Sequence, residues 1–234
     1  LYEKYSEEIP KKDKKKINAY QLLDLILFER SFTGRIYLVF ADNIYKGCWK
    51  NPVYNVNLCC EVVVPSTPLD GSLGTPEIGS CILGGINHGY VKDDDIEAIC
   101  DYLVNFLDYM IDYSDYSIPE VEYSAKKRRT LGIGHSDIFH YLAKNKKFYN
   151  TTEGRELIHN RIEKCYYYLL KASNELAKTR GKCELYDDTK YSQGYLSFDE
   201  YKDNKETNFK LLMDWKSLRE SIKEFGLRTS TVSN

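Results

Sequence analysis

The sequence contains no apolar run approaching membrane-spanning length, which excludes a helical membrane anchor within these residues. No signal peptide is visible at the start. No CxxC pair occurs, and no Cys/His pairs stand at the spacing of a zinc knuckle. His135 and His140 are five apart, which is wrong for an HExxH helix, so no metal site is expected. Internal repeats and low-complexity linkers are also missing, which excludes a solenoid or a beaded array. Net charge is small, at −2, so nothing suggests a general binder of nucleic acid or of membrane surfaces. Aromatic residues are plentiful, and with so little net charge disorder is excluded too.

What is present fits an ordinary soluble domain: 234 residues, 42% hydrophobic and 29% charged, long enough to bury a core. The cysteines number seven, and an odd count without a secretion signal argues for a reducing, cytoplasmic setting. The basic run at Lys11, Lys12 and Lys14 to Lys16 reads as a solvated loop. Tyrosine is conspicuous at 21 residues; tyrosines can relay electrons in radical enzymes, but here they accompany many Lys, Asn and Ile residues and read as composition. The first residue is Leu1, and nothing after Thr229 closes an element, so both ends are expected to be cut.

Hydrophobic periodicity predicts an amphipathic helix over 18–32, with Ala19, Leu22, Leu23 and Ile26 on one side and a break at Thr33-Gly34. Arg35 to Phe40 is short, β-rich and apolar, which predicts a buried strand. The extended run Asn57 to Val64 stops at Pro65, and Ser80 to Ile86 reads as another buried strand. Asp93 to Asp95 open a helix at the end where negative charge suits the dipole, and Ile96, Ile99, Leu103, Phe106 and Met110 mark its inner face. A charged loop then runs to Lys126-Lys-Arg-Arg129. A short apolar segment, Thr130 to Gly134, precedes a short helix over 136–145. A long helix follows over 152–179, with Ile158, Ile162, Cys165, Leu169, Ala172 and Leu176 as its seam and Gly181 as its end. The last helix covers 208–225, with Leu211, Leu212, Trp215, Leu218 and Ile222 inward. Alternating strands and helices make the class α/β, and residues 1–234 are treated as part of one domain.

The residues that could carry chemistry lie at Asn57-Leu-Cys-Cys-Glu61. On an extended finger, alternate side chains point the same way, so Asn57, Cys59 and Glu61 would share a face. That would offer an amide, a thiol and a base to one small polar substrate. By spacing alone, the default reading is a solvated strand edge with an incidental cysteine. Cys81 on its own reads as a small core residue, as do Cys100 and Cys165 on helical seams; Cys48 and Cys183 fall in loops with no partner in view. Gly132 and Gly134 read as close chain packing rather than a phosphate cradle, for lack of a P-loop lysine.

The wider context resembles the large subunit of class I ribonucleotide reductases, of the bacterial and phage Ia type. The stretch Asn57-Leu-Cys-Cys-Glu-Val-Val-Val-Pro-Ser-Thr-Pro68 is similar to that family's active-site finger loop. Cys81-Ile-Leu-Gly-Gly-Ile-Asn87 resembles its second cysteine and following strand. Thr33-Gly-Arg-Ile-Tyr37, Arg128-Arg-Thr-Leu-Gly-Ile-Gly134 and Tyr141-Leu-Ala-Lys144 match in the same order. So do Tyr168 to Lys178, Leu218 to Lys223 and Gly226-Leu-Arg228, and the likeness covers nearly the whole chain.

The resemblance implies part of a ten-stranded α/β barrel of the ribonucleotide reductase and glycyl-radical type, with the finger inside it. It implies a thiyl radical on Cys59 that abstracts the 3′ hydrogen of a ribonucleoside diphosphate. Glu61 would be the general base, Asn57 would hold substrate and base in register, and Cys81 would be half of the reducing dithiol. The implied partners are the remainder of the large subunit, a small subunit holding a metal–tyrosyl radical, an external dithiol reductant of the thioredoxin or glutaredoxin type, and a second copy in a homodimer. Two departures stand out: Cys60 and His88 occupy positions where relatives commonly carry aliphatic residues. The upstream cysteine of the reducing pair has no counterpart here, nor do the upstream allosteric regions. The downstream tyrosine pair, the phosphate-binding loop and the C-terminal shuttle cysteines are missing as well. The chain alone is therefore expected not to complete a turnover. Three other readings compete: a non-catalytic remnant or assembly fragment of a split subunit, a glycyl-radical enzyme (whose C-terminal glycine motif is not present), and a zinc or redox sensor on Cys59, Cys60 and Cys81.

Overall fold

In the computed structural model, the described residues are 17–40, 43–44, 49–51, 53, 56–201 and 210–232. The chain divides into two units, residues 1–39 and 40–234, each taken by itself below. The basic run at Lys11 to Lys16 and the loop cysteine Cys48 lie outside the described residues.

In the first unit the sequence signals produce one helix, α1 (Ala19–Thr33). The Asn18 side chain caps it by accepting from the amides of Tyr20 and Gln21 at 2.9 and 3.3 Å. Gly34, at φ 65°, ends it and donates to Arg30 O. The expected apolar stripe is not what forms. Apolar side chains run round the whole cylinder, and none of the helix residues is buried. The buried strand expected from Arg35 is not present either: residues 35–39 have no regular structure and, Ile36 aside, are exposed. A β-rich run becomes a strand only where a neighbour completes its ladder, and among the described residues none does.

The second unit is organised around β1 (Ile82–Asn87) and β2 (Leu131–Ser136), which pair in parallel from Ile82↔Leu131 to Asn87↔Ser136. Among the described residues these two strands make the whole sheet, so the architecture is mixed α/β with no closed barrel. The crossover between them holds α2 (Ile96–Tyr113), led in by a 3-10 turn at Asp93–Asp95, and α3 (Pro119–Arg128). The acid-rich turn at Asp93–Asp95 was legible, but α3 corrects the expectation of a charged loop. Pro119 stands at the start, Glu120 and Glu122 fill the first turn, and Lys126, Lys127 and Arg128 fill the last, so the charges complement the helix dipole.

After β2 come α4 (Ile138–Lys144), the long α5 (Thr152–Arg180) and α6 (Trp215–Phe225). The inner face of α2 is Ile96, Cys100, Val104, Leu107, Asp108 and Ile111. That is a rotation from the expected face, on which Phe106 is in fact exposed. Both arcs of this helix carry apolar residues at helical spacing, and what marks the inner one is Asp108, an ion-paired aspartate that turns inward. On α5, Cys165, Leu169, Ala172 and Leu176 are buried as expected, while Ile158 and Ile162 are only half-buried. The last helix starts at Trp215, where Asp214 accepts from Ser217 N; Leu211 and Leu212 lie before it and are exposed. Residues 229–232 are buried beside β2, with Leu131 N donating to Thr231 O and Ser230 N to Arg128 O. This stretch, which closes no element by its sequence, therefore packs against β2. Cys183, expected in an open loop, is buried too, and burial pushes its thiol up to about 12.

Candidate active site

The finger is a tight hairpin rather than an extended strand. Val56 and Val63 form an antiparallel bridge, and Asn57 N donates to Val62 O at 3.2 Å. The tip is a turn in which Cys60 N donates to Asn57 O at 2.9 Å. Cys60 then takes φ 60°, the left-handed conformation that lets the chain return. The turn overrides the strict alternation that would place Asn57, Cys59 and Glu61 on one face. Asn57 instead folds its side chain back, its Oδ1 accepting from Val62 N at 2.9 Å. Cys59 is exposed at the tip beside the exposed Leu58, and Glu61 is half-buried. The Glu61 Oε2 atom is buried without a hydrogen-bond partner among the described residues.

Cys81 immediately precedes β1 and is half-buried. Burial pushes its thiol up from the ordinary value, and the negative charges of Glu61 and Cys59 add to the effect. The finger and the second cysteine are therefore electrostatic neighbours although 22 positions separate Cys59 from Cys81 in the sequence. A cavity of about 240 Å³ lies against Cys81, lined also by Ser80, Ile111, Tyr116 and Thr130. A larger, aromatic cavity of about 640 Å³, bordered by Tyr166, Phe198 and Trp215, holds none of the four residues singled out from sequence.

The return arm of the finger is tied down along its length. Trp49 Nε1 donates to Val63 O at 2.8 Å, Gly79 N to Ser66 Oγ at 3.0 Å, and Thr67 N to Glu77 O at 2.9 Å. The chains approach so closely that a Cβ on Gly79 would sit 2.6 Å from Pro65 O, so the position admits only glycine.

A family model described as "Ribonucleotide reductase, barrel domain" matches residues 1–234. The chain belongs to this family. It is 41% identical over 241 residues to the ribonucleoside-diphosphate reductase 1 subunit alpha of Escherichia coli K12, covering all of this chain and 32% of that protein. The subunit alpha of Enterobacteria phage T4 is 38% identical over 244 residues, covering all of this chain and 31% of that protein. That of Buchnera aphidicola from Schizaphis graminum is 38% identical over 234 residues, 94% of this chain and 30% of that protein. The chain thus spans about a third of the length of these curated relatives and is a fragment-length homologue of class I alpha subunits.

For a ribonucleotide reductase barrel piece, the structure also gathers residues that motif reading missed. His88 and His135, at the C-terminal ends of β1 and β2, meet at 2.9 Å between Nε2 and Nδ1, with Cys165 beside them. Three such ligand atoms within 4.8 Å of one another could hold a metal. The donor geometry speaks against it. Arg161 Nε donates to His88 Nδ1 at 3.0 Å, so the neutral ring carries its proton on Nε2 and donates to His135. The one lone pair that faces the gap, on His135 Nδ1, accepts this hydrogen bond, the His88 Nδ1 lone pair is taken by Arg161, and that buried guanidinium stands behind them. The same guanidinium pairs with Asp93 and donates to Val91 O at 2.6 Å. Burial, His135 and Arg161 together hold the His88 imidazole down at about 4. No spacing rule could have found this group, because its members come from two strand ends and one helix.

Proposed function

We propose that this chain carries the radical finger and one redox cysteine of ribonucleoside-diphosphate reduction, within a barrel completed by further segments of a large subunit. The observation that supports this reading best is the placement of Cys81 where it feels both Glu61 and Cys59. A thiyl radical on Cys59 would take the 3′ hydrogen of the substrate, and Glu61 would accept the 3′-hydroxyl proton through its unpartnered Oε2. With Oδ1 committed to Val62 N, Asn57 would use its amide NH₂ to hold the substrate. The 2′-hydroxyl leaves as water, and two thiols become a disulfide: ribonucleoside diphosphate plus dithiol gives deoxyribonucleoside diphosphate, disulfide and water. Cys81 would be one of those thiols, and burial keeps it protonated until it reacts.

A small subunit bearing a metal–tyrosyl radical would supply the oxidising equivalent, and an external dithiol of the thioredoxin or glutaredoxin type would reset the disulfide. The working assembly would be cytoplasmic and would contain two large subunits. No helix among the described residues is long and apolar enough to cross a membrane. The test is deoxynucleotide formation by this chain joined with its complementary segments and the small subunit. Activity is expected, and it should vanish in Cys59→Ser. Product formation that survives Cys59→Ser removes the assignment, and well-folded, associated chains without activity favour a non-catalytic remnant.

A further inference from the structure

The strongest polar construction around the finger is a buried ion pair that nothing in the reaction uses. Arg128 ends α3 and grips Glu77 with two hydrogen bonds, Nε to Oε1 and Nη2 to Oε2, the latter at 2.8 Å. Both side chains are at least nine-tenths buried. Ser124 Oγ donates to the same Glu77 Oε1 at 2.8 Å, and Arg128 Nη1 reaches Asp188 at 3.1 Å. The guanidinium carbon lies over the Trp49 ring, 5.3 Å from its centre.

Each partner of Arg128 leads to the finger or to the second cysteine. Trp49 donates to Val63 O in the return arm. Glu77 pairs through its backbone with Thr67, where that arm ends, and begins the segment that delivers Cys81. Two residues beyond Arg128, Thr130 O accepts from Ile82 N, the residue after Cys81. One side chain therefore references both the finger and the start of β1 to the end of α3.

We infer that Arg128, with Glu77 and Trp49, is a positioning clamp that sets the register of the finger so that Cys59, rather than its neighbour Cys60, is presented toward Cys81. Lysine could keep the charge at this position but not the two-pronged grip on Glu77. The inference rests on the reading of Cys59 and Cys81 as the reacting thiols. Its test needs no turnover, so an inactive enzyme leaves the clamp standing, and a failed clamp leaves the radical assignment standing.

The experiment treats the full chain with a short dithiol-reactive cross-linker, dibromobimane, and maps the products by peptide mass spectrometry. The readout is the ratio of Cys59–Cys81 to Cys60–Cys81 links. In Arg128→Gln and Glu77→Gln this ratio should fall about tenfold, as expected when reacting groups lose a fixed geometry. Arg128→Lys should fall between these variants and the parent. The control is Arg129→Lys, whose equally buried pairing with Asp108 leads into α2 and not to the finger. An unchanged ratio in Glu77→Gln, or an equal drop in Arg129→Lys, overturns the clamp. If Arg128→Gln fails to fold, the isosteric Glu77→Gln decides alone.

Discussion

His88 shows how one side chain can make the molecule's stability depend on pH. It is 1% exposed, faced by Arg161 and Cys165 from α5, His135 from β2 and the Tyr141 ring from α4, with Asp93 reached through Arg161. A proton added to it would lie against a guanidinium and a second imidazole, so the folded state holds it at about 4 against an ordinary 6.5. Between those values the unfolded chain binds the proton and the folded chain does not. The stabilisation is therefore complete above pH 6.5 and is lost as pH falls toward 4, by on the order of 3 kcal/mol for the full shift. His135 is shifted in the same direction by burial and steepens the loss. Denaturant midpoints measured from pH 7.5 down to 4.5 should fall, and the slope should shrink in His88→Leu even though that variant starts from lower stability. A profile of equal slope in both proteins would show that the titrating groups lie elsewhere.

At the scale of elements, Asp108 on α2 decides more than any apolar residue of that helix. It is fully buried and takes Arg129 Nε at 2.5 Å, Arg228 Nε at 3.2 Å and Arg180 Nη1 at 3.3 Å. Those arginines come from the end of α3, the stretch after α6 and the end of α5, so one carboxylate joins four parts of the chain. Asp108→Asn leaves buried cations without their counter-charge and should cost about 3–5 kcal/mol by denaturant titration. Asp112→Asn, one turn on and half exposed, weakens a two-pronged pair with Arg129 that water can partly replace, and should cost less, about 1 kcal/mol. Equal losses would mean that Arg129 and its neighbours find other partners. Two apolar arcs of α2 recur at three and four, so periodicity alone does not choose the inner one; the buried aspartate marks it only because arginines far away in the chain come to meet it. Helix α3 was missed for a related reason: its four-residue basic end looks like a solvated loop until Arg128 and Arg129 are seen to be buried. Elements ruled by local signals were legible, namely α5 with Gly181 behind it and the strand after Cys81. In the finger, the resemblance names candidate residues, but their side-chain directions were not legible, because the turn at Asn57 to Cys60 replaces the alternation assumed for a strand.

At the scale of the whole molecule, stability must be distributed unevenly. The second unit holds a continuous apolar core in which Cys100, Val104, Leu131, Ile133, Leu169, Leu170 and Ile222 are fully enclosed. Helix α1 in the first unit buries none of its residues, although Tyr20, Leu23, Phe28 and Phe32 are among them. A helix of 15 residues that buries none of its side chains among the described residues is marginal in water, since nucleation is costly and intrinsic propensity alone barely offsets it. Its apolar surface is of the kind normally buried on all sides, which suits a barrel piece that packs against further segments. Hydrogen exchange should reveal the contrast. Amides in α5 around Leu169 to Leu176 should open only with global unfolding, while those of α1 should exchange near the rate of an unstructured peptide. Adding complementary segments of a large subunit should slow α1 exchange by an order of magnitude or more, following the free energy that binding adds to the closed form. If α1 is already as protected as α5 in the isolated chain, it has a packing partner within these 234 residues, and the view that its apolar surface awaits another segment is wrong.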